Sequence, residues 1–297
     1  MKKMMLGLTA AFCAAVSFAD GVESANIVGY TTKDAPQAIF RLAGVPFEGT
    51  DGSLNVNDIL PYSTTIEADD AGAFMATAPQ IQIQKADGGY TTYYFVNNAL
   101  YLDADGEAAT KPGWVDMFGV LATPELFAEE LVAGDGNVTP GAAIWFKDPT
   151  APGKLLAAGA VIAEDIEIDC PAGFRLRANA FPMDLQINDV TQVTFSGMAD
   201  VAADEAGAFI ATAPQIQIQK ADGGYNTYYY VNNALYLDDA GEPAEKAGWV
   251  DMFGVLATPE LFAEELVAGD GVAKVAHGMW TKGVSQSFMM TFKAPIK

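Results

Sequence analysis

QIQIQKADGGYTTYYFV occupies residues 80–96, and a nearly identical stretch, QIQIQKADGGYNTYYYV, occupies residues 215–231. Glutamine and isoleucine alternate before the Ala-Asp-Gly-Gly segment, and a run rich in threonine and tyrosine follows it. Alternation with a period of two is typical of a half-buried β-strand, and Asp-Gly between two such runs favours a tight turn. The sequence therefore predicts the same β-hairpin twice.

The register of this hairpin depends on the length of its turn. A two-residue turn at Asp87 and Gly88 places Tyr94 opposite Ile81, whereas a three-residue loop places Phe95 opposite Ile81. The sequence leaves both registers open. In both, the face that carries the glutamines also carries an aromatic residue.

The hairpin belongs to a longer internal repeat. Residues 71–136 return as residues 206–271, shifted by 135 positions without a gap, and 58 of the 66 residues are identical. Five of the eight differences fall at positions 104–112, in a polar segment that behaves like an exposed loop. The chain therefore contains one folding unit made twice.

Turns and a helix complete the predicted unit. Asn97 and Asn98 are predicted to form a tight turn, because asparagine tolerates positive φ, and the acidic segment 103–107 predicts the next turn of an antiparallel meander. Residues 123–134 begin with Thr-Pro-Glu and end in glycine, which is the signature of a short α-helix. The same helix is predicted at residues 258–269.

Strand-like segments flank each copy. Residues 26–42 and 162–176 each contain a β-rich run, a proline-containing turn and a second run, which predicts a hairpin at the start of each unit. A strand around Trp145 or Trp280 is expected towards the end of each unit. Residues 287–292 predict the closing strand of the second unit.

These segments predict the fold class and its division. We expect a mainly β protein of two tandem antiparallel modules, sandwich-like or barrel-like, each with one short α-helix. The expected limits are residues 20–160 for the first module and 161–297 for the second. Residues 1–19 combine two lysines, an apolar run and a small-x-small ending, which predicts a secretory signal peptide.

The charge of the chain limits its partners, and its cysteine content limits how it can be stabilised. Without Lys2 and Lys3 of the predicted signal, 14 basic and 38 acidic residues remain, and such a surface repels nucleic acid and anionic membranes. The apolar run of the signal is too short to span a bilayer, so we expect no transmembrane anchor. Cys170 is the one cysteine outside the signal, so stability must come from hydrophobic cores.

Catalytic motifs are missing from the sequence, which predicts a protein that is not an enzyme. The chain has one histidine, His277, and neither a nucleophile elbow nor a phosphate-binding glycine loop. A glycosidase-type pair of carboxylates stays open as an alternative, with Asp116 and either Asp103 or Asp105 as the pair to test first.

Aromatic and amide side chains of the repeat are the candidate ligand-binding residues. Sugar-binding β-modules stack rings on exposed tyrosine and tryptophan, whereas β-sheets also use these residues in their cores, and the sequence leaves both interpretations open. The candidates are Gln82, Tyr93, Tyr94 and Trp114 in the first copy, and Gln217, Tyr228, Tyr229 and Trp249 in the second.

Calcium is an alternative ligand. Its candidate residues are acids of the polar turn, namely Asp103, Asp105, Asp238 and Asp239. One acid changes position between the two copies, which counts against a demanding metal cage. No other cofactor is expected.

Several short motifs resemble a group of exported bacterial β-repeat proteins with no assigned activity. These are Asn-Ile-Val-Gly-Tyr at residues 26–30, Pro-Ala-Gly-Phe-Arg-Leu at residues 171–176, and the stretch from Pro-Gly at residue 140 to Trp-Phe at residue 146. The second copy departs from the last motif at residues 275–277. The resemblance implies no catalytic residues.

The leading functional hypothesis is a secreted, structural or adhesive interaction module in the periplasm, on the outer surface or in the medium. Export, duplication and the missing catalytic groups motivate it. Carbohydrate binding through exposed tyrosine and tryptophan is one alternative, and a calcium-stabilised surface module is another. The expected partners are polysaccharide or other envelope proteins, and nucleic acid is excluded.

Overall fold

A computed structural model describes residues 28–69, 71–103, 105–119, 136–204, 207–220, 222–238, 240–252 and 271–295. The predicted signal peptide and the two predicted helices at residues 123–134 and 258–269 lie outside the described residues. Within them the protein is mainly β, as predicted.

Two sets of strands follow each other along the chain. The first half contains β1 Val28–Ala35, β2 Arg41–Gly44, β3 Gln80–Gln84, β4 Tyr90–Leu102, β5 Ala108–Val115, β6 Ala143–Lys147 and β7 Gly153–Ala160. The second half contains β8 Ile166–Cys170, β9 Phe174–Ala178, β10 Leu185–Gln186, β11 Val193–Ser196, β12 Gln215–Gln219, β13 Tyr225–Leu237, β14 Pro243–Val250, β15 Val272–Ala273, β16 Gly278–Lys282 and β17 Phe288–Phe292.

Each half is built around a five-stranded antiparallel sheet. The strand order is β2-β6-β3-β4-β5 in the first half and β9-β16-β12-β13-β14 in the second. The two orders correspond strand for strand, so the duplicated sequence gives a duplicated topology. Within the described residues neither sheet closes into a barrel, which agrees with the sandwich-like alternative.

The predicted hairpin is present, but both predicted registers are wrong. Tyr93 lies opposite Ile81 because the backbone N–H of Lys85 donates to the carbonyl of Gly89, which closes a three-residue loop one position earlier than expected. The glutamine face does carry aromatic residues. Tyr94 lies opposite Gln80 on that face.

The predicted tight turn at Asn97 and Asn98 is also wrong. β4 continues through both residues, and its pairing with β5 shifts between Val96 and Ala99, as at a β-bulge. The Asn98 side chain accepts a hydrogen bond from the backbone N–H of Ala68 (2.6 Å) and donates to its carbonyl (3.2 Å). The asparagine therefore binds a neighbouring loop instead of turning its own strand.

Smaller sheets cover the inner faces of the two large ones. β1 pairs with β7 in the first half, and β17 lies between β8 and β11 in the second. The strands at the start of each half do not form the predicted hairpins, since β1 and β2 belong to different sheets, as do β8 and β9. The proline-containing turn instead carries the chain from one layer to the other.

Helical structure in the described residues is short. α1 spans Val56–Ile59 and α2 spans Phe209–Thr212. α1 begins after Asn55, whose side chain accepts a hydrogen bond from the backbone N–H of Asn57. None of the helices in the described ranges has the length and apolar character that crossing a membrane requires.

Each half has its own aromatic core between its layers. Trp114 is fully buried in the first half, where its ring contacts Phe95 and Tyr62. Trp249 is fully buried in the second half and contacts Phe195. The equivalent tryptophan therefore forms the centre of each sandwich.

The two halves contact each other through reciprocal pairs. Gly44 donates its N–H to the carbonyl of Ala276 (3.0 Å), and Ala178 donates to the carbonyl of Gly141 (2.8 Å). Gly44 corresponds in the repeat to Ala178, and Gly141 to Ala276. Such exchange of equivalent residues is typical of an interface around an approximate two-fold axis. The duplicated halves therefore associate much as the subunits of a symmetric dimer do.

Candidate functional site

The predicted aromatic platform is divided between the two faces of each sheet. Trp114 and Trp249 are fully buried, and Tyr93 and Tyr228 are 2% exposed. Each tyrosine hydroxyl accepts a backbone N–H, from Gly136 for Tyr93 at 2.7 Å and from Gly271 for Tyr228 at 2.8 Å. These four residues belong to the cores, because they point to the inner face together with the isoleucines of the hairpin.

The remaining candidates lie on the outer face. Tyr94, Tyr229, Gln82 and Gln217 are all half-buried. The ring of Tyr94 packs edge-on against Phe74, with centroids 5.7 Å apart, and Tyr229 makes the equivalent contact. Burial raises the pKa of both tyrosines. These side chains are partly available to a ligand, and part of each ring is used in packing.

Two tryptophans that the sequence did not mark as ligand-binding candidates lie on this outer face. Trp145 is directly opposite Gln82, and Trp280 is directly opposite Gln217. Both are partly exposed, whereas Ile144 and Phe146 on either side of Trp145 are buried. The alternation of β6 was the signal that could have revealed the outward direction of Trp145.

The outer-face tryptophans meet where the two halves join. The rings of Trp145 and Trp280 have centroids 6.2 Å apart and are inclined at 60°. Phe40 packs edge-on against Trp145, and Phe174 packs edge-on against Trp280. We call these four residues the aromatic row. The ammonium group of Lys147 lies 4.7 Å from the ring centre of Phe40, a cation–π contact.

The row offers apolar ring surface flanked by amides and ammonium groups. Such a surface can bind rings and chains by stacking and hydrogen bonding. Its edge-to-face geometry means that the rings partly cover one another. The row therefore suits a shallow contact better than a deep pocket.

A cleft of about 680 Å³ lies beside the junction of the two halves. Its walls include Arg175 and Arg177, together with the exposed acids Glu167 and Asp169. Arg175 donates to the carbonyl of Ala86 at 2.7 Å, so its guanidinium ties β9 to the hairpin loop of the other half. The cleft carries charges of both signs, and Arg175 serves the interface, whereas the Arg177 guanidinium donates to carbonyls of its own half.

His277 occupies the equivalent place on the other side of the junction, where the first half has Ala142. Ala43 forms an antiparallel β-bridge with His277, just as Ala142 forms one with Arg177. Burial, and then repulsion from the ammonium group of Lys33, lower the pKa of His277 to about 4. Burial also lowers the pKa of Lys33 to about 8. His277 is therefore neutral at pH 7 and fills the junction as an uncharged ring.

Acid should weaken the protein through His277. The unfolded imidazole binds its proton near pH 6.5 and the folded one near pH 4, so the free energy of unfolding falls as the pH drops from 6.5 to 4. Because the ring is only half-buried, we expect a loss of about 1 kcal/mol at pH 5. Urea unfolding at pH 7 and pH 5 measures it.

His277→Ala is the matched control, since alanine is the natural residue at the equivalent position of the first half. The variant should lose about 1 kcal/mol less than the wild type between pH 7 and pH 5. Equal acid sensitivity in both proteins would mean that His277 does not carry this effect.

Of the predicted calcium candidates, Asp103 and Asp238 serve as turn residues. Asp103 accepts hydrogen bonds from the backbone N–H groups of Asp105 and Glu107, each at 3.0 Å, and Asp238 makes the equivalent contacts. Asp239 lies outside the described residues. In the described part of the chain no group of three or more His, Cys, Asp or Glu residues could hold a metal ion. The calcium hypothesis predicts a melting temperature that falls with chelator.

The candidate reactive groups have structural surroundings. Asp116 accepts the backbone N–H of Phe118 at 2.8 Å, in the turn that follows β5. Cys170 is fully buried at the end of β8, and burial raises the pKa of its thiol. A protonated, inaccessible thiol is a poor nucleophile at neutral pH.

The fold and the site together define a duplicated, antiparallel β-sandwich protein with an aromatic row at the junction of its halves. No protein-family model matches this chain, and neither does any curated protein or solved structure.

Proposed function

We propose that the protein is a non-enzymatic interaction module of the cell envelope or the extracellular space. The observation that carries this proposal is the reciprocal junction of the two halves, which holds two copies of one unit together in a single body. A body of this kind presents equivalent surfaces twice, and two equal weak sites on one chain raise the avidity for a repetitive partner.

The surface chemistry agrees with this role. The chain has a formal net charge of −22, which favours solubility and disfavours nucleic acid and anionic membranes as partners. The partly exposed groups of the outer face include amides and aromatic rings, which bind partners by contact.

A turnover screen tests the non-enzymatic part of the proposal. The purified protein is expected to release no product from panels of polysaccharides and peptides. Asp116→Asn and its counterpart Asp251→Asn are the control variants. Turnover by the wild type that either substitution abolishes would overturn the proposal in favour of a carboxylate-dependent hydrolase.

Carbohydrate binding at the aromatic row is the second candidate function. The specific observation in its favour is the pairing of Trp145 with Gln82, and of Trp280 with Gln217, on a partly exposed face. Aromatic rings stack on sugar faces, and neighbouring amides can bind the sugar hydroxyls.

Tryptophan fluorescence distinguishes the row from the cores. A binding polysaccharide should change the emission of the wild type and of Trp114→Phe, but not that of a Trp145→Phe/Trp280→Phe double variant. A panel of neutral and acidic polysaccharides that leaves wild-type emission unchanged would remove this candidate. A response that survives in the double variant would move the site away from the row.

A further inference from the structure

The two halves differ at one sheet edge. In the second half β17 pairs with β8 on one side and with β11 on the other. In the first half the equivalent strand, β7, pairs with β1 along its length, and among the described residues its other edge is paired at Ala160 alone, through a bridge to Glu48. The segment that corresponds to β11 is residues 60–63, and in the described part of the chain no backbone hydrogen bond joins its residues 61–63 to β7.

A proline accounts for the difference. Leu60 and Tyr62 occupy the core positions of Val193 and Phe195, so Pro61 corresponds to Thr194. Proline has no N–H to donate to a ladder. The carbonyl of Leu60 accepts the indole N–H of Trp114 at 2.8 Å instead. The segment is therefore held by the core and not by β7.

The second half shows which backbone groups of β7 face the gap. The backbone N–H of Lys293 donates to the carbonyl of Gln192 at 2.8 Å. Hydrogen-bonded pairs alternate with non-bonded pairs along an antiparallel ladder. The next hydrogen-bonded pair is therefore Thr291 with Thr194. Thr291 corresponds to Leu156 of β7. The N–H and carbonyl of Leu156 therefore face away from β1.

A groove of about 400 Å³ lies at this edge. Its lining residues are Pro61, Tyr62, Ser63, Lys154 and Leu156. The groove thus lies where the second half has its β11 to β17 ladder. A row of open N–H and carbonyl groups beside a groove is a template for another strand.

We propose that the free edge of β7 binds an extended segment of a partner polypeptide by β-strand addition. The duplicate half indicates the chemistry of that segment, because β11, with the sequence Val-Thr-Phe-Ser, covers the equivalent edge. The partner segment carries apolar residues at alternate positions and no proline where it pairs. This assignment rests on the interaction-module function and specifies its partner class.

A synthetic peptide with the sequence of residues 190–198 is the probe, since this stretch contains β11. Calorimetric titration of the whole protein should give one peptide bound per chain. Leu156→Pro removes the N–H that faces the groove and should weaken binding tenfold or more. Leu156→Ala keeps that N–H and should bind within about threefold of the wild type. Cooperative melting of both variants verifies that they fold.

Pro61→Thr provides an independent variant, because it installs the residue of the second half. The chain's own segment can then pair with β7, so the Leu156 amide should gain protection from hydrogen exchange and peptide binding should fall tenfold or more. Absence of binding at millimolar peptide, or equal binding by Leu156→Pro, would overturn strand addition. Self-association that Leu156→Pro abolishes would also overturn it, in favour of a second copy as the occupant. None of these outcomes involves product release, so the turnover screen of the proposed function stays separate.

Discussion

Trp114→Ala is expected to lower the free energy of unfolding by about 3–5 kcal/mol, the largest single effect that we predict. The ring is fully buried, and it contacts Phe95 with centroids 5.2 Å apart. Alanine would leave a cavity at the centre of the first sandwich. The carbonyl of Leu60, which accepts the indole N–H, would also lose its partner. Urea unfolding with tryptophan or circular-dichroism detection measures the loss.

The repeat supplies a matched control for the hydrogen-bond part of this effect. Trp249 is equally buried, but its indole N–H has no hydrogen-bond partner among the described residues. Phenylalanine removes the N–H and a similar ring volume at both sites. Trp114→Phe breaks a hydrogen bond, whereas Trp249→Phe removes an unsatisfied donor, so we expect the first to cost about 1–3 kcal/mol more. Equal losses would mean that the Trp114 to Leu60 bond contributes nothing measurable.

The sequence predicted which segments form strands better than it predicted the register in which those strands pair. Period-two alternation gave the hairpin strands and the shared face of glutamine and tyrosine, because side-chain direction in a strand depends on local geometry alone. It did not give the register, since Asp-Gly is compatible with several loop lengths that differ little in energy. The loop that forms begins at Ala86 and ends at Gly88.

The turn prediction failed at asparagines whose hydrogen-bond partners lie far along the chain. Asn97 and Asn98 have the composition of a turn, yet Asn97 donates its N–H to Ile66 and Asn98 binds Ala68. Asn57 shows the same behaviour. Its side-chain amide accepts the N–H of Trp114 at 2.7 Å and donates to its carbonyl at 3.2 Å. Tertiary contacts of this kind leave no local periodicity, so a single sequence cannot reveal them.

The candidate site was predicted by residue type but not by face. Trp114 follows a glycine in a sequence with weak alternation, and nothing local indicates that it points inward. Trp145 shares one face of its strand with Lys147, and this charged residue two positions further on indicates an outward direction. Aromatic content alone does not separate the two faces, so the prediction named the buried Trp114 and omitted the partly exposed Trp145.

Gln219→Ala and Gln84→Ala should each weaken the junction of the halves, and together they give the second large effect that we predict. The Gln219 side chain accepts the backbone N–H of Leu42 at 3.0 Å, and Gln84 accepts that of Leu176 at 2.8 Å. Each glutamine thus completes the edge strand of the opposite half. Loss of the acceptor leaves a buried N–H unsatisfied, which costs about 1–3 kcal/mol.

The different burial of the two glutamines predicts which variant loses more free energy of unfolding. Gln219 is 4% exposed, whereas Gln84 is half-buried, so water can replace the lost acceptor more readily at Leu176 than at Leu42. We therefore expect Gln219→Ala to cost more than Gln84→Ala, as measured by urea unfolding. The double variant should depart from additivity, because both contacts support one interface.

Gln82→Ala is the control for these variants, since Gln82 lies on the same strand and face as Gln84 but donates only a long 3.4 Å hydrogen bond to Thr92. Its loss should stay within about 0.5 kcal/mol. If Gln82→Ala were as costly as Gln219→Ala, the effect would belong to the sheet rather than to the junction. A loss of stability in Gln219→Ala and Gln84→Ala, without a comparable loss in Gln82→Ala, would show that the two accepting amides stabilise the junction.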